Sequence, residues 1–140
     1  TGWQAGATQE GSIQRLRHTG DKGIYLREAK ARKNRLELTF TEPVNPDSMK
    51  RDTFAASAWN YRWSKGYGSP TFKISDPEIR GDDKLSIESI DLSNDGTKLI
   101  VQIPDLSPCH NLRLDFEVDG KNGASLAGPV YFTIHKLPES

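Results

Sequence analysis

The chain carries a single cysteine, Cys109, in 140 residues, so no internal disulfide can form. The paired-cysteine spacing of a zinc ribbon and the Cys-x-x-Cys-His signature of covalent haem are also missing. Nor is there an excess of charge of either sign. Nineteen Lys and Arg balance nineteen Asp and Glu, for a formal net charge of zero at pH 7. That balance removes the broad basic field on which nucleic-acid binding usually depends. No apolar run approaches the ~18 residues of a membrane-spanning helix. No amphipathic helix longer than a turn or two is visible, and without an internal repeat a propeller or solenoid is set aside. The opening Thr1-Gly2-Trp3-Gln4 has no initiator Met and no signal peptide, which reads as one domain, residues 1–140, excised from a longer secreted protein. Three Trp, four Tyr and five Phe join patterned Ile, Leu and Val, more apolar material than a disordered chain holds. A chain of this size buries about two thirds of its unfolded surface in one core.

Period-2 alternation dominates what is present. Ser12 to Arg17 alternates apolar with polar residues, and a turn from His18 to Gly23 ends it. Ile24 to Leu26 reads as a short strand, the basic stretch Lys30 to Arg35 follows, and Leu36-Glu37-Leu38-Thr39-Phe40 is the cleanest strand so far. Pro43 and Pro46 break the pattern, and Asp47 to Lys50 suits a single helical turn. Ala58 to Trp63 favours a strand that puts Trp59, Tyr61 and Trp63 on one face, with the glycine-rich Ser64 to Pro70 as the next loop. After Phe72 and Ile74 comes a polar loop, Asp76 to Lys84. Leu85 to Leu92 and Lys98 to Ile103 flank Asn94-Asp95-Gly96-Thr97, a strong hairpin signal. Leu112 to Val118 and Gly128 to Ile134 complete about eight strands. The pattern predicts an all-β, antiparallel β-sandwich of immunoglobulin or fibronectin type III kind, with a small barrel as the alternative.

The run Leu36 to Ser48, together with Ile87 to Leu99, resembles the bacterial immunoglobulin-like domains of secreted multidomain proteins. A narrower resemblance is carried by Gly2-Trp3-Gln4, Gln14 to Arg17, Ala31 to Asn34, Trp59 to Ser64, Tyr67 to Pro70 and Thr133 to Leu137. These look like the β-sandwich between a sorbosone-dehydrogenase-like propeller and a c-type cytochrome domain. The resemblance implies a secreted or periplasmic bacterial location and redox chemistry in domains other than this one.

The aromatic cluster is the main candidate site. Flat ring faces match the C–H faces of sugars, so an exposed platform of aromatics can dock a glycan. Core packing is the ordinary reading for Trp59 and Tyr61. Trp63 and Tyr67 are the better binding candidates because they flank a glycine-rich loop. Asn60, Arg62 and Lys65 lie nearby to hydrogen-bond hydroxyls or pair with an acidic glycan. Asp76, Glu78, Asp82 and Asp83 offer hard oxygens for calcium, but their spacing is that of a solvated acidic loop. Cys109 and His110, adjacent on a strand, should point to opposite faces and not share a metal. The basic run Arg27 to Arg35 reads as a solvated edge that discourages sheet-to-sheet pairing.

No motif names a nucleophile, metal or cofactor. The expectation is a non-catalytic accessory module, monomeric and without cofactor, binding polysaccharide through Trp63, Tyr67, Trp59, Asn60, Arg62 and Lys65. The alternative is a structural connector that docks to neighbouring domains through Trp3 and the basic edge and has no ligand of its own.

Overall fold

The computed structural model describes Gly20 and residues 22–138. The expected strand from Ser12 to Arg17 and the docking residue Trp3 lie outside the described residues. Among the described residues there are eleven strands: β1 Leu26–Arg32, β2 Arg35–Phe40, β3 Ala55–Tyr61, β4 Thr71–Phe72, β5 Asp83–Leu85 and β6 Ile90–Leu92. Then follow β7 Lys98–Gln102, β8 Cys109–Asp115, β9 Glu117–Asp119, β10 Ser125–Ala127 and β11 Val130–Ile134. Two single-turn 3-10 helices, Pro46–Ser48 and Arg51–Thr53, are the only helices among the described residues.

One sheet has the order β1-β2-β7-β6, a second has β11-β8-β3-β4 with β5 also on β3, and β9 and β10 form a separate two-stranded ribbon. All pairings are antiparallel. This is an immunoglobulin-type arrangement: the first sheet holds A, B, E and D, the second G, F and C with an interrupted outer strand. Alternation supplies the core between them. Leu36, Leu38, Phe40, Leu99, Val101 and Ile103 come from the first sheet side, and Ala56, Ala58, Leu112, Leu114, Phe132 and Ile134 from the second; all are buried.

The basic run does not separate two strands but forms their hairpin. Arg32 pairs with Arg35 across Lys33 and Asn34, and Asn34 takes φ 60, a backbone conformation Asn tolerates in tight hairpin turns. The first strand therefore begins at Leu26 and not at Ile24. As the edge of its sheet, β1 carries Lys30 paired with Glu28 at 2.7 Å and a register shift between Leu26 and Glu28. Charge and irregularity both discourage pairing with another chain's strand.

The long alternating run from Leu85 to Leu92 is not one strand. Its start is β5 in the second sheet and its end is β6 in the first. Ile87, buried between them, marks the crossing, and Arg51 donates to the carbonyls of Ile87 and Glu88. Likewise β8–β9 and β10–β11 are one hairpin bent at Phe116, where the Gly128 N–H still donates to the Phe116 carbonyl at 2.8 Å. Such bends divide expected strands in two and contribute to the eleven strands among the described residues.

The proline corner is clamped on both sides. Val44 donates to Gly96 O at 2.8 Å and Asn45 to Asp119 O at 2.7 Å, while Lys121 donates to Pro43 O at 2.8 Å.

Candidate functional site

In β3 the buried positions are Ala56 and Ala58, so Trp59 and Tyr61 lie on the outer face of the second sheet and not in the core. Volume accounts for this: β3 lies inside its sheet, and its inward positions hold the small Ala56 and Ala58 within a core that leucines and phenylalanines dominate. Tyr61 is 43% exposed and Trp59 half-buried. Their rings meet edge to face at 6.4 Å, and His110 stacks on Tyr61 at 6.5 Å. His110 Nδ1 accepts the Tyr61 N–H at 2.9 Å, and the His110 N–H donates to Asn60 Oδ1 at 2.8 Å. These bonds join the end of β3 to the start of β8. The indole Nε1 of Trp59 is buried without an acceptor among the described residues.

Beyond Tyr61 the strand ends, so Trp63 belongs to the loop and not to the strand face. Arg62 N–H donates to Pro70 O at 3.2 Å, and the Ser64 hydroxyl donates to Gly68 O at 3.1 Å. Gly68 takes φ 80, which permits the chain to reverse there. The closed turn leaves Trp63 79% exposed and Tyr67 fully exposed, with Lys65 exposed between them. Arg62 is turned elsewhere. Its guanidinium lies 4.2 Å from the Phe72 ring centre and donates to Pro77 O at 2.6 Å and Glu78 Oε1 at 3.0 Å. It braces the loop against the next one.

The acidic loop is organised by its own hydrogen bonds. Asp83 accepts from the Ile74 and Ser75 N–H groups at 2.7 and 2.8 Å and from the Ser75 hydroxyl at 2.6 Å. The Ser75 hydroxyl first, and then the two N–H donors, hold its carboxyl below the usual range. Asp76 accepts the Glu78 N–H, and Glu78 pairs with Arg62. No three metal-ligating side chains converge among the described residues. Cys109 is buried and His110 exposed, the opposite orientation their adjacency implies. Burial pushes the Cys109 thiol up.

Asp82 and Arg113 enter the aromatic face unexpectedly. A depression of about 270 Å³ is lined by Ser57, Trp59, Thr71, Asp82 and Arg113. The register explains it. Ser57 lies opposite Arg113 on β8 and Lys84 on β5, and continuing that register two residues brings Asp82 level with Trp59. Arg113 sits 56 positions after Ser57, so no local motif could reveal the grouping.

No protein-family model matches the chain, and no curated protein matches it. Solved structures do. The crystal structure of the S-layer protein rSbsC is similar over 82% of this chain with a TM-score of 0.56 and 16% identity. The structure of domains 1–6 of the surface layer protein SbsC gives the same values. This chain spans only 14% of the length of each. The class these features define is an all-β, immunoglobulin-like sandwich. No helix among the described residues is long and apolar enough to cross a membrane.

Proposed function

We propose that the chain is a non-catalytic accessory module of a longer exported protein and that it holds polysaccharide by stacking sugar rings on Trp63 and Tyr67. One observation carries this reading: two large rings stand exposed on a loop closed at both levels by hydrogen bonds. Exposed rings on a pre-shaped turn lose little entropy on binding, and soluble surfaces carry large apolar patches mostly where something docks. Trp59 extends the platform on the sheet face, Lys65 supplies a polar contact, Arg62 acts by holding the loop, and Asn60, on the opposite face from Trp59, acts by holding His110. Likeness in fold to modules of surface-layer proteins supports an extracellular setting, secreted or periplasmic.

A second reading has its own support. Arg62 and Asn60 Oδ1 are already engaged within the protein, so Trp63 and Tyr67 stand as a mainly apolar knob suited to a neighbouring domain. In that reading the sandwich is a connector, of the kind that joins a sorbosone-dehydrogenase-like propeller to a c-type cytochrome domain.

Affinity gels loaded with neutral and sulfated polysaccharides, with tryptophan fluorescence alongside, separate the two. Trp63→Ala and Tyr67→Ala should each lose most retardation while keeping the far-UV spectrum of the parent chain. No retardation by any polysaccharide would leave the connector.

A further inference from the structure

The outer face of the second sheet carries a feature that the loop platform does not explain. Around the half-buried indole of Trp59, the depression of about 270 Å³ gathers Ser57, Thr71, Asp82 and Arg113. Each has hydrogen-bonding capacity left over. The hydroxyls of Ser57 and Thr71 and the carboxylate of Asp82 make no side-chain hydrogen bond among the described residues, and Arg113 directs Nε and Nη2 to Asp115 but leaves Nη1 without a partner. An aromatic wall with two hydroxyls, an acceptor-only carboxylate and a fixed donor suits a small ring bearing several hydroxyls.

Charge narrows the ligand further. Arg113 is neutralised by Asp115 at 2.7 Å. That leaves Asp82 as the lining carboxylate with no ion pair among the described residues, although Lys84, opposite Ser57, borders with it the neighbouring depression. A carboxylate accepts from paired sugar hydroxyls, and it repels sulfate or uronate groups. We infer that this depression is a subsite for one neutral hexose unit of a polysaccharide, with Trp59 against the sugar face, Asp82 accepting from its hydroxyls and Arg113 Nη1 donating to it. The inference rests on the polysaccharide reading and adds the ligand class and four residues, Ser57, Thr71, Asp82 and Arg113. Asp82 is exposed and bonded to nothing among the described residues, so removing it leaves the fold intact.

The test uses the 140-residue chain and neutral hexose oligosaccharides of increasing length, each paired with its sulfated form, titrated by calorimetry and amide NMR. Neutral oligosaccharides should bind at least tenfold more tightly than sulfated ones. Asp82→Ala should weaken neutral binding about tenfold or more, the loss of one strong charged hydrogen-bond acceptor, and the Ser57 and Thr71 amide signals should move on titration. Asp82→Asn should narrow the gap between neutral and sulfated ligands, because it removes the repulsion. If Trp63→Ala abolishes binding while Asp82→Ala changes nothing, the subsite is wrong and the loop platform stands. Tighter binding of sulfated ligands would overturn the subsite in the same way. No binding to any oligosaccharide or polysaccharide overturns both.

Discussion

At the scale of single residues, short polar side chains organise the turns of this molecule. Asp95 is the strongest case. It accepts from the Ser93 hydroxyl at 2.6 Å, the Thr97 N–H at 3.1 Å and the Thr97 hydroxyl at 2.8 Å. With the Ser93 hydroxyl leading, these donors lower its pKa from 3.8 to about 2. The folded value lies below the unfolded one, so the charged form stabilises the fold at and above pH 4, and that contribution fades as the pH falls through about 2. Urea midpoints of the parent chain should therefore drop between pH 4 and pH 2 more steeply than those of Asp95→Asn. The two proteins should converge at the acid end; equal slopes would show that the turn gains nothing from the charge. Gly96 beside it takes φ 74, and an added Cβ would lie 3.3 Å from that of Pro43, so the turn and the proline corner fit only with glycine there. The Asn-Asp-Gly-Thr signal was readable because the chemistry of a tight turn sits in consecutive residues.

At the scale of elements, legibility follows the distance over which the deciding interaction acts. β2 and the β6–β7 hairpin follow from alternation, since one face is apolar and the other polar. β3 does not, because both faces are apolar: Ala56 and Ala58 on one, Trp59 and Tyr61 on the other. Size decides between them, and the available interior volume is set by strands far away in sequence. The run from Leu85 to Leu92 fails for a related reason, since period-2 alternation persists while the chain steps from one sheet to the other at Ile87. For the candidate site, Trp63 and Tyr67 were legible from their glycine-rich setting. Asp82 and Arg113 were not, because only the pairing of β3 with β5 and β8 brings them together. The volume argument is open to test. Ala58→Leu adds three carbons to a filled interior and should destabilise the protein by about 1–3 kcal/mol, measured by urea unfolding. An unchanged midpoint would mean that the interior has room, and that something other than size turns the aromatic residues outward.

At the scale of the whole molecule, one apolar cluster takes side chains from both sheets, and Phe40 of the first meets Phe116, at the end of β8, edge to face at 6.0 Å. Neither sheet can bury its inner face alone, so the two should unfold together. Cys109 offers a built-in probe. It lies on β8, paired with Ile134 of β11, and its thiol is buried, which pushes its pKa up. A thiol reagent needs the exposed thiolate, so labelling reports opening of the β8–β11 end of the sandwich. Leu112→Ala removes a fully buried side chain on the same strand, and Leu38→Ala one from the opposite sheet. Each should cost about 2–5 kcal/mol. If the sandwich opens as a unit, both variants accelerate labelling of Cys109 by the factor that their lost equilibrium stability dictates. Should Leu112→Ala speed labelling while Leu38→Ala leaves it unchanged, β8 and β11 open locally, and the two sheets are separate cooperative units joined only at the native state.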